Sequence, residues 1–278
     1  MGEKKNIKLV ISDVDGTIFD RKDTITDGLE LLKEYIRDYK VPFSLASGRC
    51  YKDLKKLVEY LNLDLPVIVN NGGGIVQHGK VLWEKNLNRE SVREAVEFAD
   101  SCGMFVAIYD SLHEVVYRHN AYVQTYIDRF QKDYTYLLKP DEVLSDEKWS
   151  ALTIQKILFI DPQKPGRIQA VIDKMNLSGL AVVKYDSRSA DVMSEGCDKQ
   201  SAVERLSSML KTALNEIAAI GDNENDIKMM KVVGQSCAVA NATDSLKQKT
   251  AYVCQENGAA GVAEVVQRFY ISRKKAEA

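Results

Sequence analysis

Two aspartates one residue apart, Asp13 and Asp15, end the apolar run of the stretch KLVISDVDGTIFD (8–20), and a Gly-Thr pair follows them. Carboxylates at the tip of a strand that reads as buried are either solvated or compensated by something positive. Three more polar stretches bear on that choice: Ser47-Gly48-Arg49, Lys199, and the run Gly221-Asp222-Asn223-Glu224-Asn225-Asp226, where three acids and two amides crowd five residues. Phosphoryl transfer is the chemistry that would need all four. Asp13 and Asp222 would supply hard oxygen ligands for Mg²⁺, which takes a few carboxylates and keeps places for waters and a substrate phosphate. The ion would neutralise charge between an attacking carboxylate and the phosphate, two anions that otherwise repel. The Ser47 hydroxyl and the backbone N–H groups beside it, Gly48 among them, would hold phosphate oxygens at a helix N-terminus. Lys199 adds a point charge to the same oxygens. Asp13 as nucleophile would form an aspartyl-phosphate. Asp15 would protonate the leaving alkoxide and later take the proton of the hydrolytic water. A spacing of two lets both acids reach one site from one strand end.

Rival chemistries fail on spacing. An EF-hand loop needs Gly at its sixth place and Glu at its twelfth; counted from Asp13 the sixth residue is Ile18, and counted from Asp222 these places hold Ile227 and Val233. The segment NNGGG (70–74) is glycine-rich, but no Gly-Lys-Ser/Thr follows, so it reads as a tight turn and not a phosphate loop of the Walker type. Its Asn71 is a further candidate for the site. The histidines, His78, His113 and His119, have no Ser or Cys motif beside them, so no His-dependent triad is expected.

The elements that must position these residues alternate in the βαβ manner of a parallel sheet covered by helices. Strand-like runs fall at 7–11, 41–47, 66–70, 216–221 and 236–240, and helical patterns near 51–61, 199–211 and 259–270. An Asp27-x-x-Glu30 pair resembles a capping box opening a helix with Leu29, Leu32, Tyr35 and Ile36 on one face. Ligands in such sheets bind at the carboxyl ends of the strands, where the four polar stretches fall. The middle of the chain has its own strands (104–109, 114–117, 154–160, 181–185) and helices (from Ser91 and near 166–175). It reads as an inserted α+β domain over 84–190, leaving 1–83 and 191–278 as one discontinuous core.

At 278 residues, 45% hydrophobic and 28% charged, the chain has the composition of a soluble globular protein. A net charge of −2 offers no basic field for nucleic acid. No run resembles a secretory signal or a membrane span. Five scattered cysteines without a C-x-x-C pair suit reduced thiols in a cytoplasm.

In combination, DVDGT (13–17), SGR with Ser47, Lys199 and GDNEND (221–226) resemble the four motifs of the haloacid dehalogenase superfamily of phosphohydrolases. The insertion between the second and third motifs lies where the Cof-type (IIB) subgroup carries its α+β (C2-type) cap. NNGGGI (70–75) and AVANATDSLK (238–247) also look like that subgroup. The resemblance implies a Rossmannoid core with a doubly wound, mostly parallel sheet, and a cap that closes over it as a lid. It implies Asp13 as nucleophile and Mg²⁺ ligand, Asp15 as acid/base with its backbone carbonyl on the metal, and Asp222 as the remaining protein ligand. Ser47 and Lys199 would bind phosphate, Asn225 would lie near the transferring group, and Asp226 would support a metal water or Lys199. One departure is Gln200, where the family commonly has Gly after the Lys. The expected activity is hydrolysis of a small phosphomonoester, above all a sugar phosphate. A phosphorylated cofactor such as pyridoxal phosphate or flavin mononucleotide, a phosphosugar mutase, and a non-catalytic metabolite-binding regulator stand as alternatives.

Overall fold

A computed structural model describes residues 6–20, 26–130 and 134–272, with backbone only over 126–130. In chain order, β1 (Leu9–Ser12) leads to a helix Leu29–Tyr39, β2 (Phe43–Leu45), a helix Tyr51–Tyr60 and β3 (Val67–Val69), then the hairpin strands β4 (Gly74–Gln77) and β5 (Lys80–Glu84). The inserted stretch follows with β6 (Phe105–Tyr109), β7 (Glu114–Arg118), β8 (Thr135–Leu138), β9 (Lys156–Ile160), β10 (Leu180–Lys184) and β11 (Ser189–Ser194). The chain then returns through the helix Lys199–Leu210 to β12 (Ile217–Gly221), β13 (Gln235–Ala238) and β14 (Tyr252–Val253), and closes with a helix Gly258–Val266. It divides into two compact units, Met1–Leu82 with Asp198–Ala278, and Trp83–Cys197.

The first unit is built on a parallel sheet of order β14-β13-β12-β1-β2. β1 and β12 are buried along their whole length, as a central strand covered on both faces must be. After β1 the chain moves to one side, to β2, and only later fills the other side with β12. The topological switch point therefore lies between β1 and β12, the place where a doubly wound sheet opens a crevice at its strand ends. An antiparallel sheet β3-β4-β5 lies beyond β2, which β3 meets through the Ala46–Ile68 bridge.

The second unit is a six-stranded sheet of order β10-β11-β9-β6-β7-β8, antiparallel except for the pair β7–β8. Alternate residues of its strands, such as Val106, Ile108, Ile157, Phe159, Ala190 and Val192, join Val96, Ile168 and Trp149 in one apolar core, as a period of two requires.

Two readings of the sequence need correction. The boundary at 190 would cut β11, which pairs along its length with both β10 and β9; that ladder keeps the chain in the second unit as far as Cys197. The first helix has no capping box. It starts at Leu29, with Gly28 in left-handed backbone (φ 89°) at its N-cap and no side-chain cap. A Cβ at Gly28 would fall 2.5 Å from Ala260 Cα, so close packing against the closing helix sets the entry and leaves Asp27 outside it.

Candidate active site

The motifs meet at the switch point of the first unit. Asp13 directly follows β1, and its N–H donates to Ile220 O of β12 at 2.9 Å; this locks it beside Asp222, which follows Gly221 at the end of β12. One carboxylate oxygen from each of Asp13, Asp222 and Asp226 falls within 4.8 Å of the others, and all three residues are buried. Lys199 arrives from the first turn of its helix, which Asp198 caps by accepting from Ser201 N–H at 2.9 Å. Its ammonium lies 2.5 Å from Asp13 Oδ1 and 2.6 Å from Asp226 Oδ1, with the side chain only 1% exposed. A cation at a helix N-terminus opposes the helix dipole, and the two carboxylates offset that cost.

Each acid has a different set of partners. Asp226 is saturated: beyond Lys199, its Oδ2 accepts from the N–H groups of Asp222 at 3.0 Å and Asn223 at 3.1 Å. Asp222 Oδ1 accepts from the Thr17 hydroxyl at 3.3 Å. Asp13 Oδ2 is buried and has no hydrogen-bond partner among the described residues. Burial pushes the Asp13 carboxyl up to about 8 despite the pull of Lys199, with Asp226 adding to the rise. Burial works to lower Lys199, but Asp13 and Asp226 more than offset it and hold the ammonium above its ordinary value.

A divalent cation fits this group. Once Asp13 gives up its proton, three carboxylates face one ammonium and leave two negative charges, and the orphaned Asp13 oxygen is a ligand atom without a donor among the described residues. Asp13 and Asp222 are the residues that would hold it; the bonds already made by Asp226 assign that residue to positioning Lys199 and the 222–223 backbone. Gly16 is part of the same construction. It has φ 87°, and a Cβ there would sit 2.2 Å from Asp222 Oδ2, so the turn after Asp15 passes the Asp222 carboxylate only with glycine.

Asp15 takes the other side of the turn, its side chain 48% exposed. Arg49 clamps it, with Nη2 at 2.5 Å and Nε at 3.0 Å from Oδ1 and Nε at 3.1 Å from Oδ2. Ser47 is buried; its Oγ lies 3.5 Å from Asp15 Oδ2 and accepts from Arg49 N–H at 3.1 Å. The turn Asn70–Gly72 holds this loop from behind, since the N–H groups of Asn70 and Asn71 donate to Arg49 O and Ser47 O, both at 2.9 Å. Gly48 lies against the Asn71 amide, which a Cβ on Gly48 would meet at 3.1 Å. Asn225 is exposed on the short turn Glu224–Asp226. Gln200 bonds Glu204 of its own helix at 2.9 Å.

Three residues inside the recognised motifs had no individual assignment from sequence. Arg49 pairs with Asp15, Thr17 bonds Asp222, and the Asn241 amide donates to Gly16 O at 2.7 Å. The motifs contained the signal, but the partners lie up to 225 positions apart, and spacing carries no information about such pairs.

A family model described as haloacid dehalogenase-like hydrolase matches residues 10–266. Over 95% of this chain and 98% of its own, a Bacillus subtilis protein named 5-amino-6-(5-phospho-D-ribitylamino)uracil phosphatase YwtE is 24% identical. A haloacid dehalogenase-like hydrolase structure from Bacteroides thetaiotaomicron superposes with a TM-score of 0.79 at 24% identity, covering 95% of this chain and all of that one. The structure of the subclass IIB sugar phosphatase BT4131 gives 0.73 at 19% identity, covering 95% and 99%. With its motifs gathered at one switch point and the model spanning nearly its whole length, the chain belongs to the haloacid dehalogenase-like hydrolases, Cof type.

Proposed function

We propose that this phosphoric monoester hydrolase is a Mg²⁺-dependent phosphatase of a small phosphorylated metabolite, a sugar phosphate, working through an aspartyl-phosphate on Asp13. The observation that carries the reading is the Asp13 carboxylate itself: buried, one oxygen on Lys199 and the other without a donor among the described residues. Mg²⁺ held by Asp13 and Asp222 would screen the charge between nucleophile and phosphate.

The residues divide the remaining work. Asp13 attacks phosphorus, and the bond between phosphorus and the ester oxygen breaks. The departing alkoxide takes a proton from Asp15, whose exposed position and Arg49 clamp suit a group that must reach the leaving oxygen. Lys199 and Ser47 hold the transferred phosphoryl oxygens. Water then attacks the acyl phosphate while Asp15 takes its proton; phosphate leaves and the Asp13 carboxylate is restored. The sugar assignment rests on the alcohol parts in the relatives' names, a ribityl chain in one and a sugar in the other.

Phosphate release from a panel of sugar, alditol, cofactor and aryl phosphates, with Mg²⁺ and with EDTA, tests the reading. The expected result is metal-dependent release that favours sugar phosphates, and a phosphoryl adduct on the Asp13 peptide after acid quench. No release from any ester would refute it, and isomerised sugar phosphate without free phosphate would make the protein a mutase.

A further inference from the structure

The stretch AVANATDSLK (238–247) has no part in the chemistry above, yet two of its residues reach the strand ends that carry the acids. The Thr243 N–H donates to Asp222 O at 2.8 Å. The Asn241 amide is held at both ends: its Nδ2 donates to Gly16 O at 2.7 Å, and its Oδ1 accepts from Gly258 N–H at 2.9 Å. Thr26 repeats the pattern one step along. Its hydroxyl donates to Ile18 O at 2.6 Å and accepts from Ala259 N–H at 2.7 Å. Gly258 makes room for that hydroxyl, with φ 56° and a Cβ position only 2.5 Å from Thr26 Oγ1.

Each side chain is thus a relay between the closing helix and the turn that carries Asp15. Gly258 and Ala259 are the first two residues of the helix Gly258–Val266, where backbone N–H groups have no acceptor of their own. The turn closes on itself through Val14 O, which accepts from Ile18 N–H at 2.8 Å and Phe19 N–H at 2.9 Å, and through Gly16 N–H, which donates to Phe19 O at 2.7 Å. Gly16 O and Ile18 O are left without a backbone donor among the described residues. The helix end offers donors and the turn offers acceptors. An amide and a hydroxyl, which both give and take a hydrogen bond, join the two, and the positive end of the helix polarises both relays toward the turn.

Stability gives little reason for the first relay, since Asn241 is exposed and a hydrogen bond open to water adds little net. The turn has more need of it. Gly16 lies in left-handed backbone, and the Asp15 side chain is held at its tip by Arg49 alone among the described cations. Arg49 fixes the carboxylate; the relays fix the backbone from which it projects. We infer that Asn241 and Thr26 are positioning residues that hold the Asp15 turn in place for proton transfer; the inference rests on the phosphatase reading above, in which Asp15 protonates the departing alkoxide.

The measurement is kcat/KM for the best alkyl phosphate of the panel and for p-nitrophenyl phosphate, in wild type, Asn241→Asp, Thr26→Val and Thr26→Ser. An alkoxide needs the proton of Asp15 to leave, whereas p-nitrophenolate leaves with little help, so a misplaced Asp15 slows the first ester more. Asn241→Asp separates the two ends of the relay. Its carboxylate still accepts from Gly258 N–H and suits a helix N-terminus, so Tm should stay within about 2 °C of wild type, but it has no proton to give Gly16 O. The added charge acts on both esters alike and cancels in their ratio. Thr26→Val reaches the same turn through Ile18 and carries the test where Asn241→Asp fails to fold. The ratio of alkyl to p-nitrophenyl ester should fall about tenfold in each folded variant through lost orientation, and Thr26→Ser, which keeps the hydroxyl, should restore it to within about threefold. A ratio within about twofold of wild type in either folded variant, whether both activities drop together or neither moves, shows a structural role and overturns the inference while sparing the phosphatase reading. Wild-type protein that cleaves no ester refutes that reading, and the positioning role falls with it.

Discussion

Replacing Lys199 with methionine keeps an unbranched side chain one atom shorter and removes the only positive charge that the described residues place against Asp13 and Asp226. Breaking a buried pair by deleting one partner costs about 3–5 kcal/mol, because the other charge is left uncompensated. The unit that holds the site has about 160 residues, a size at which each kcal/mol moves Tm by about 2–4 °C. The expected loss is therefore about 6–20 °C. The loss should also grow with pH. Asp13 stands at about 8 in the folded protein against 3.8 as its ordinary value. Between those values the native state holds a proton that the unfolded chain has released, so stability falls as pH rises. Without Lys199 that carboxyl moves higher still, and the fall continues to higher pH. Thermal melts followed by circular dichroism at about pH 6 and about pH 9, in EDTA and in millimolar Mg²⁺, read both effects. Mg²⁺ should raise the Tm of the variant more than that of wild type, since it enters a site that has lost the ammonium competing for the same carboxylates. A variant melting within about 2 °C of wild type at both pH values would refute the electrostatic account of the site.

Three other changes probe separate parts of the construction. Asp13→Asn should lower phosphate release by about 10⁴-fold or more and leave no phosphoryl adduct on its peptide after acid quench; near-normal turnover would remove Asp13 as nucleophile. Arg49→Met frees Asp15 from its clamp and should cost about ten- to hundredfold in kcat through lost orientation, while Mg²⁺ affinity, measured by calorimetry, stays within about threefold because Arg49 holds only the side chain of Asp15, whose expected metal contact is its backbone carbonyl. Loss of metal binding in that variant would show that the clamp serves Asp222 or Asp13 instead. Gly16→Ala forces a Cβ onto Asp222 in left-handed backbone; denaturant unfolding should show a loss of about 1–3 kcal/mol, and calorimetry a weaker Mg²⁺ affinity.

How far the sequence went is clear from particular residues. Asp13, Asp15, Lys199, Asp222 and Asp226 were all legible because their neighbours are local: an apolar strand before the first two, a helix start at the lysine, a strand and crowded acids at the last. The α/β alternation and the insertion followed from hydrophobic periodicity, which is also a local property. Several strands escaped it. The hairpin strand Lys80–Glu84 is mostly exposed, and β11 reads SADVMS with an aspartate in its middle, so neither shows the apolar run that marks a buried strand. The aspartate that hid β11 is the same Asp191 that tertiary structure brings beside Lys156.

By itself, then, the order of amino acids determined which side chains could take part and which strand ends would present them. Only folding in three dimensions decided their division of labour. It gave Asp226 to Lys199 and two backbone N–H groups, left one Asp13 oxygen without a donor among the described residues, clamped Asp15 with Arg49, and gathered a lysine, an aspartate and a tyrosine on one face of the inserted sheet. The reason is physical. A residue's propensity acts over a few neighbours, whereas desolvation and charge pairing depend on atoms brought within about 4 Å from anywhere in the chain.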